Sequence, residues 1–412
     1  MDIRFTFLSV ALGHVESLPW APTDKDWQIF YGFCKRQALL GIGFTAVEKL
    51  HEQGIECPRD LRMKWLALTL KIEKQNKILN QQCKELTEKL EHDGLQCCIL
   101  KGQGNLLNYL EQLKWRRNPG DIDVWCTPPD GGLSISVQIG RGNVECNTYY
   151  GCKVIIEYVQ MLNRSVGGKK RRALYHHIDA PDFNGTEVEV HYRPSFCHAP
   201  IRNYRMQRFF SSHADECMKN KNHLGFATPT PSVNVIYQMC HLFSHFLETG
   251  LGLRQMMDYY FLLMQWRKQV RSVELGVLSD GRQEEQSQGM CSEGLGTLVM
   301  SKEEVMHTLR SFGMGKFAAA VMWVLHEVFA MPAHYYICEP NEREGRKLLA
   351  EIIQGGNFGQ YDKRGKKMRN GGTIPHAIWK LKRVMRLVSS YPEEALCEPF
   401  FRVWHWGWRK VH

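Results

Sequence analysis

The stretch NPGDIDVWC, residues 118–126, sets Asp121 and Asp123 on either side of one isoleucine, directly behind a Pro-Gly turn. Successive side chains of a strand alternate between faces, so a strand here points both carboxylates into one small volume. Two like charges held that close repel unless a cation stands between them. Hard divalent ions such as Mg²⁺ take oxygen ligands and keep waters and substrate phosphates in their shell, which suits such a pair. The turn before it and the apolar Val124-Trp125 after it hold the strand rigid, as a metal site requires. The plainer alternative is a turn aspartate with an incidental neighbour.

Outward from this pair, ILKGQGNLLNYL lies upstream, with Lys101, Gly102 and Gly104 between a short β-like run, LQCCILKG, and a helix-like segment, QGNLLNYLEQL. Glycines there let backbone N–H groups approach phosphate oxygens, and Lys101 adds a point charge. The segment is neither a Walker A loop nor a GxGxxG fingerprint, and by itself it reads equally as a strand-helix turn. Downstream, TEVEVHYRP alternates Glu187, Glu189 and His191 with Val188 and Val190, which puts the three polar side chains on one strand face. A third carboxylate beside the aspartates would complete a two-metal arrangement, with ions about 3.5–4 Å apart. Asp123 and Glu189 lie far apart in the chain, so spacing alone does not make their strands neighbours.

Taken in order, ILKGQGN, RNPGDIDVW and VEVHYRP resemble the uncharacterised nucleotidyltransferase family within the DNA polymerase beta-like nucleotidyltransferase superfamily. That pattern is a hydrophobic-Gly-Gly/Ser turn opening a helix, an Asp-hydrophobic-Asp strand and a later hydrophobic-Asp/Glu-hydrophobic strand. The likeness extends to YHHIDAPDF, GLGLRQMMDYY and EIIQGGNFGQYD, across most of residues 25–412. It implies an α+β fold: a nucleotidyltransferase-type mixed β-sheet core with helices, flanked by N-terminal and C-terminal helical regions. It implies Asp121, Asp123 and Glu189 as ligands of Mg²⁺, two ions with Mn²⁺ as a substitute, and Glu189 as the group that orients and deprotonates the acceptor. Lys101, Gly102, Gln103, Gly104 and Arg117 would touch the nucleoside triphosphate, with Glu187 in reserve and His191 and His177 as accessory groups.

The implied reaction moves a nucleoside monophosphate from a triphosphate to a hydroxyl of RNA, protein, sugar or a small molecule, releasing pyrophosphate. Three departures qualify it. Gln103 replaces the superfamily's serine, the segment LEQLKWR leaves Arg116 and Arg117 as alternatives, and a Gly-rich stretch over 128–142 follows the DID strand. The missing serine motivates the alternative of an inactive scaffold that binds nucleotide or nucleic acid.

Composition bounds the rest. The 412 residues carry a net charge of +10, which favours polyanionic partners. Fourteen cysteines are dispersed without CxxC spacing, which fits a reducing compartment, and Cys240, His241 and His245 read as a buried thiol and histidines on a helix. The N-terminal run FTFLSVALG is preceded by Asp2 and Arg4 and reads as a first helix. No window reaches the roughly 18–20 apolar residues of a membrane span, and a cytoplasmic location is expected.

Three regions follow: residues 1–94, helical; 95–230, the α/β core; and 231–412, helical, with an exposed insertion near 279–296 and a basic C-terminal helix. Within them, residues 24–50 read as one helical run behind Thr23-Asp24, a long helix lies between Pro58 and Gly94, and KVIIEYVQML carries strand signal. KKRR, 169–172, is a solvated loop or a lid over phosphates. The cations from Lys363 to Arg386, with Trp379, Trp404, Trp406 and Trp408, fit either peripheral contact with an anionic membrane, a grip on RNA, or a helix packed through Ile378, Leu381, Met385 and Val388.

Overall fold

In the computed structural model, residues 2–128, 134–139, 142–147, 151–274, 299–364 and 373–411 are described. Four helices come first: α1 (Ile3–Leu12), α2 (Asp24–Arg36), α3 (Leu40–Glu52) and α4 (Arg59–His92). The middle of the chain holds β1 (Gln96–Ile99), α5 (Gln103–Leu106), α6 (Glu111–Lys114), β2 (Ile122–Thr127), β3 (Ser134–Ile139), β4 (Gly142–Asn147), α7 (Gly151–Ser165), β5 (His177–Asp179) and β6 (Val188–His191). Helices follow: α8 (Pro200–Ser212), α9 (Ala214–Lys219), α10 (Pro231–Glu248), α11 (Leu253–Glu274), α12 (Lys302–Ser311), α13 (Gly315–Phe329), α14 (Glu342–Gly355), α15 (Thr373–Leu387) and α16 (Pro392–Val411).

The central sheet runs β1-β2-β6-β5 and is mixed: β1 and β5 pair antiparallel with their neighbours, while β2 and β6 are parallel. β3 and β4 form a separate hairpin. The chain is therefore α+β, with a small mixed sheet among helices, as expected.

The alternation of each motif strand decides what its two faces do. Ile122, Val124 and Cys126 of β2, Val188 and Val190 of β6, Ile178 of β5, and Cys97 and Ile99 of β1 enter one apolar cluster. That cluster is closed by Leu79, Cys83, Leu86 and Leu90 of α4 and by Val154, Ile155, Tyr158 and Val159 of α7. Each such side chain contributes about 1.5–3 kcal/mol on burial, so the strands are fixed from this side. Cys98, Leu100 and Trp125 turn the other way and join the larger helical core. The face that carries Asp123, Glu189 and His177 is thereby left for chemistry.

Several local readings change. The run over 24–50 is two helices, and Thr23 caps the first, α2, in a capping box with Asp26. Ala38 at φ 55° ends that helix, and Leu39 N–H donates to Cys34 C=O at 2.8 Å. KVIIEYVQML is the middle of α7, not a strand. Its β-branched run favours a strand locally, but Val154, Ile155, Tyr158 and Val159 recur at helical spacing and pack onto the sheet, and that packing prevails. Around α15 two residues of the expected stripe do not face the core: Ile378 and Met385 are 42% and 63% exposed, whereas Trp379 and Arg383 are buried. Arg383 turns inward because it donates to the C-terminal carbonyls of α10, Leu247 at 2.9 Å and Phe246 at 2.5 Å. The insertion near 279–296 lies outside the described residues.

Candidate active site

The parallel register of β2 and β6 makes Asp123 and Glu189 direct partners, so two motifs well separated in sequence meet on one face. β5 adds a second rank: His177 lies opposite His191 and Asp179 opposite Glu189. β6 and β5 thus each present an i, i+2 polar pair, Glu189 and His191, His177 and Asp179, beside Asp123 of β2, with Asp121 just ahead of that strand. Lys101 leaves the end of β1, where Leu100 N–H donates to Asp123 C=O at 2.9 Å, and its Nζ meets Asp123 Oδ1 at 2.8 Å.

Contacts inside the cluster are dense. His191 Nε2 lies 3.0 Å from Asp123 Oδ1 and 3.4 Å from Glu189 Oε2. His177 Nδ1 lies 3.9 Å from Glu189 Oε2 and 2.9 Å from His176 Nε2, and His177 Nε2 lies 3.6 Å from Asp179. Asp123 is 1% exposed, and its Oδ2 has no hydrogen-bond partner among the described residues. A buried carboxylate oxygen without a donor is well suited to binding a cation.

The charges shift accordingly. Burial disfavours the Lys101 ammonium, but Asp123, Asp121 and Glu189 outweigh it and hold its pKa above the usual lysine range. Burial would raise Glu189, yet the hydrogen bond from His191 and the charges of Lys101 and His177 bring it down to about 2. His191 is raised: burial opposes its charge, and its bonds to Asp123 and Glu189 overcome that. His176 falls well below its ordinary value through burial and the neighbouring His177 and His191.

The other sequence-selected residues take different positions. Gly102 adopts φ 60°, on the side of the map that glycine tolerates, at the start of the single-turn α5. Gln103 faces inward and donates to Asn76 C=O at 3.0 Å and Asn80 Oδ1 at 2.7 Å, so its side chain ties α5 to α4. At Gly104 a Cβ would stand 2.9 Å from Ile99 C=O, so this glycine permits close packing on β1. Arg117 is 4% exposed and donates from Nε and Nη2 to Asp258 at 2.7 and 2.8 Å, while Tyr109 donates to the same carboxylate at 2.6 Å. Arg116 pairs instead with Glu48 and Glu73. Glu187 is exposed, and its carbonyl accepts from Ile122 N–H at 3.0 Å.

Groups whose ligand atoms lie within 4.8 Å of one another comprise Asp123, Glu189 and His191; His177, Asp179 and Glu189; and His176, His177 and His191. Asp121 belongs to none of these among the described residues, although its charge acts on Lys101.

Sequence reasoning missed Asp179, Arg254, Asp258 and Tyr237. Asp179 was legible, since HID repeats the period-2 logic of DID. Arg254 and Asp258 stand four apart on α11, one turn of one face. Arg254 donates to the carbonyls of Asn118 and Pro119 at 3.1 and 3.4 Å, and burial with Arg117 nearby lowers its pKa to about 10. Tyr237, His241 and His245 form an i, i+4 ladder on α10, with ring centroids 6.1 and 4.3 Å apart. Burial, then Asp123 and Glu189, raise the pKa of Tyr237, whose hydroxyl has no partner among the described residues. Cys240 is buried in the helical core.

No curated protein and no solved structure matches the chain at a significant level. A family model does, over residues 23–274, more than half of the chain and the part that contains the polar residues of β2, β5 and β6. Nucleotidyltransferases in general use divalent metals, and the cluster of Asp123, Glu189 and His191 is of a kind that could hold one. The chain belongs to the uncharacterised nucleotidyltransferase family.

Proposed function

We propose that the enzyme transfers a nucleoside monophosphate from a nucleoside triphosphate to an acceptor hydroxyl, with Mg²⁺ as the metal and pyrophosphate as the leaving group. The observation that carries this reading is the direct cross-strand pairing of Asp123 with Glu189, one buried and one half-buried, with Lys101 on the first. Asp123 and Glu189, with Asp121 beside them, would hold the cation. Once bound, it would neutralise charge on the α-phosphate and lower the pKa of the attacking hydroxyl.

The chain's own groups supply the rest. Lys101 is charged throughout the neutral range and meets the triphosphate as a point cation. Glu189 is ionised down to about pH 2, which makes it a weak proton acceptor and a strong hydrogen-bond acceptor, so its work is to orient the hydroxyl and hold charge. Arg117 and Arg254 support the site: one is committed to the Asp258 carboxylate, and the other grips the Pro119 turn that precedes the DID strand. The reading favours an enzyme over an inactive scaffold, because the missing serine removes no carboxylate.

The test is transfer of α-labelled triphosphate to a panel of RNA, protein, sugar and small-molecule acceptors, with pyrophosphate measured in parallel. Asp123→Asn and Glu189→Gln should abolish both signals while leaving circular dichroism unchanged, and Mn²⁺ should restore chelated enzyme. Undiminished transfer by Asp123→Asn sinks the assignment.

Contact with an anionic membrane is supported by a separate observation. Along α16, Leu396, Phe400, Val403, Trp404 and Trp406 are 58, 77, 73, 51 and 57% exposed. The exposed KKRR loop sits near its end, where Arg172 acts on Arg409. Aliphatic side chains in that stripe gain nothing from nucleic-acid bases, whereas a bilayer interface takes aliphatic, aromatic and cationic groups together. Among the described residues no helix is long and apolar enough to cross a membrane.

A further inference from the structure

We propose that His176, His177 and His191 form a binding site for a transition-metal ion, for which Zn²⁺ is the best fit, beside the carboxylates that would hold Mg²⁺. One ring nitrogen of each histidine lies within 4.8 Å of one from each of the others. The contacts show how they gather: His176 Nε2 meets His177 Nδ1 at 2.9 Å, and His177 Nδ1 and His191 Nε2 approach Glu189 Oε2 at 3.9 and 3.4 Å. Three imidazole nitrogens are a zinc-binding set that leaves the fourth tetrahedral position open.

Ligand chemistry separates this site from a magnesium one. Mg²⁺ takes oxygen and keeps its waters, whereas imidazole suits zinc and its neighbours in the first row. The outer contacts also fit. His177 turns its Nε2 toward Asp179 at 3.6 Å and its Nδ1 toward His176 and Glu189, inside the cluster. Two imidazole nitrogens 2.9 Å apart share a single proton when no ion is present, and an ion takes that proton's place. The surroundings carry negative charge to receive a dication: Asp121, Asp123, Asp179 and Glu189 stand against the Lys101 ammonium. β5 and β6, which supply two of the histidines and Glu189, are already paired, so little ordering remains to be done on binding.

Zinc binding here does not depend on nucleotidyl transfer, and its test is direct. Full-length protein is stripped with chelator and titrated with ZnCl₂ by calorimetry; Co²⁺ is then substituted, and its visible ligand-field bands are recorded. One equivalent of zinc should survive gel filtration in the presence of excess Mg²⁺, and Co²⁺ should give the intense bands of a tetrahedral site. His176→Ala and His177→Ala should each weaken zinc on the order of 100-fold. His176→Gln, a smaller disturbance, should weaken it too. His92→Gln, an exposed histidine on α4 outside the three-histidine group, should leave the affinity within about threefold. Substoichiometric zinc in the wild type, displacement by Mg²⁺, or equal affinity in folded His176→Ala and His177→Ala protein overturns the proposal, whether or not the transfer activity is found.

Discussion

Arg117 is the residue for which a binding role and a structural role make opposite predictions. Its side chain is 5% exposed and that of Asp258 4%, and two charge-assisted hydrogen bonds of 2.7 and 2.8 Å join them. Asp258→Asn removes the counter-charge and leaves a buried guanidinium facing Arg254, a second buried cation. Breaking a buried pair from one side costs about 3–5 kcal/mol. At about 2 °C per kcal/mol, the low end for larger domains, thermal denaturation should shift down by about 6–10 °C.

Removing the whole network separates desolvation from interaction. In Tyr109→Phe/Arg117→Met/Asp258→Leu no charge and no hydroxyl of the three is left unpaired, and stability should return to within about 2 kcal/mol of wild type. Differential scanning fluorimetry gives the shifts, and urea midpoints check them. A wild-type midpoint for Asp258→Asn would refute the reasoning. So would an Arg117→Met protein of native stability whose KM for triphosphate alone rises sharply, since that places the guanidinium on the phosphates rather than on Asp258.

Other consequences are as definite. Glu189 has a depressed pKa of about 2, so its contribution is complete above the ordinary carboxylate value and is lost as pH falls toward 2. Glu189→Gln should flatten that acid limb, by at most on the order of 3 kcal/mol in urea midpoints taken from about pH 5 to pH 2. His191 is shifted the other way, so the stability it adds is present below its ordinary value and fades as pH rises through its raised one; His191→Gln should remove this alkaline loss from the same series. Gly104→Ala forces a Cβ to 2.9 Å from Ile99 C=O and should cost about 1–3 kcal/mol, and an unchanged melting temperature would show that β1 yields. Phe400→Ser/Trp404→Ser should reduce cosedimentation with anionic vesicles several-fold without affecting transfer, and equal pelleting of the double variant would exclude α16 as the contact.

How much of this was legible depended on the range over which each signal acts. The DID, EVH and HID pairs are local, and period 2 alone puts each on one strand face. Their convergence is not local: it requires β2 to lie parallel to β6, and nothing in either strand specifies that partner. The apolar residues between the polar ones do so collectively, by packing on α4 and α7. One of those two helices was misread, because the β-branched run of α7 has strand propensity and only its burial on the sheet makes it helical. Arg117 shows the same limit from the other side, since its partner lies 141 residues away on α11. An arginine bound for a phosphate and one bound for a buried carboxylate are spelled alike.

The arrangement also explains why the site carries so much charge without unfolding the sheet. The central charged residues of these strands are flanked by residues buried in the opposite layer: Ile122 and Val124 beside Asp123, Val188 and Val190 beside Glu189, Ile178 beside His177. Rotating a carboxylate out of the cluster would require turning its strand, which would lift those neighbours from the core at about 1.5–3 kcal/mol each. Repulsion between two exposed carboxylates at about 4 Å is only about 1 kcal/mol in water, though larger in a partly buried site. Lys101 and the histidines offset part of it, and the apolar layer holds the remainder in place. The geometry of the cluster is therefore a property of the folded sheet, independent of whether an ion is bound.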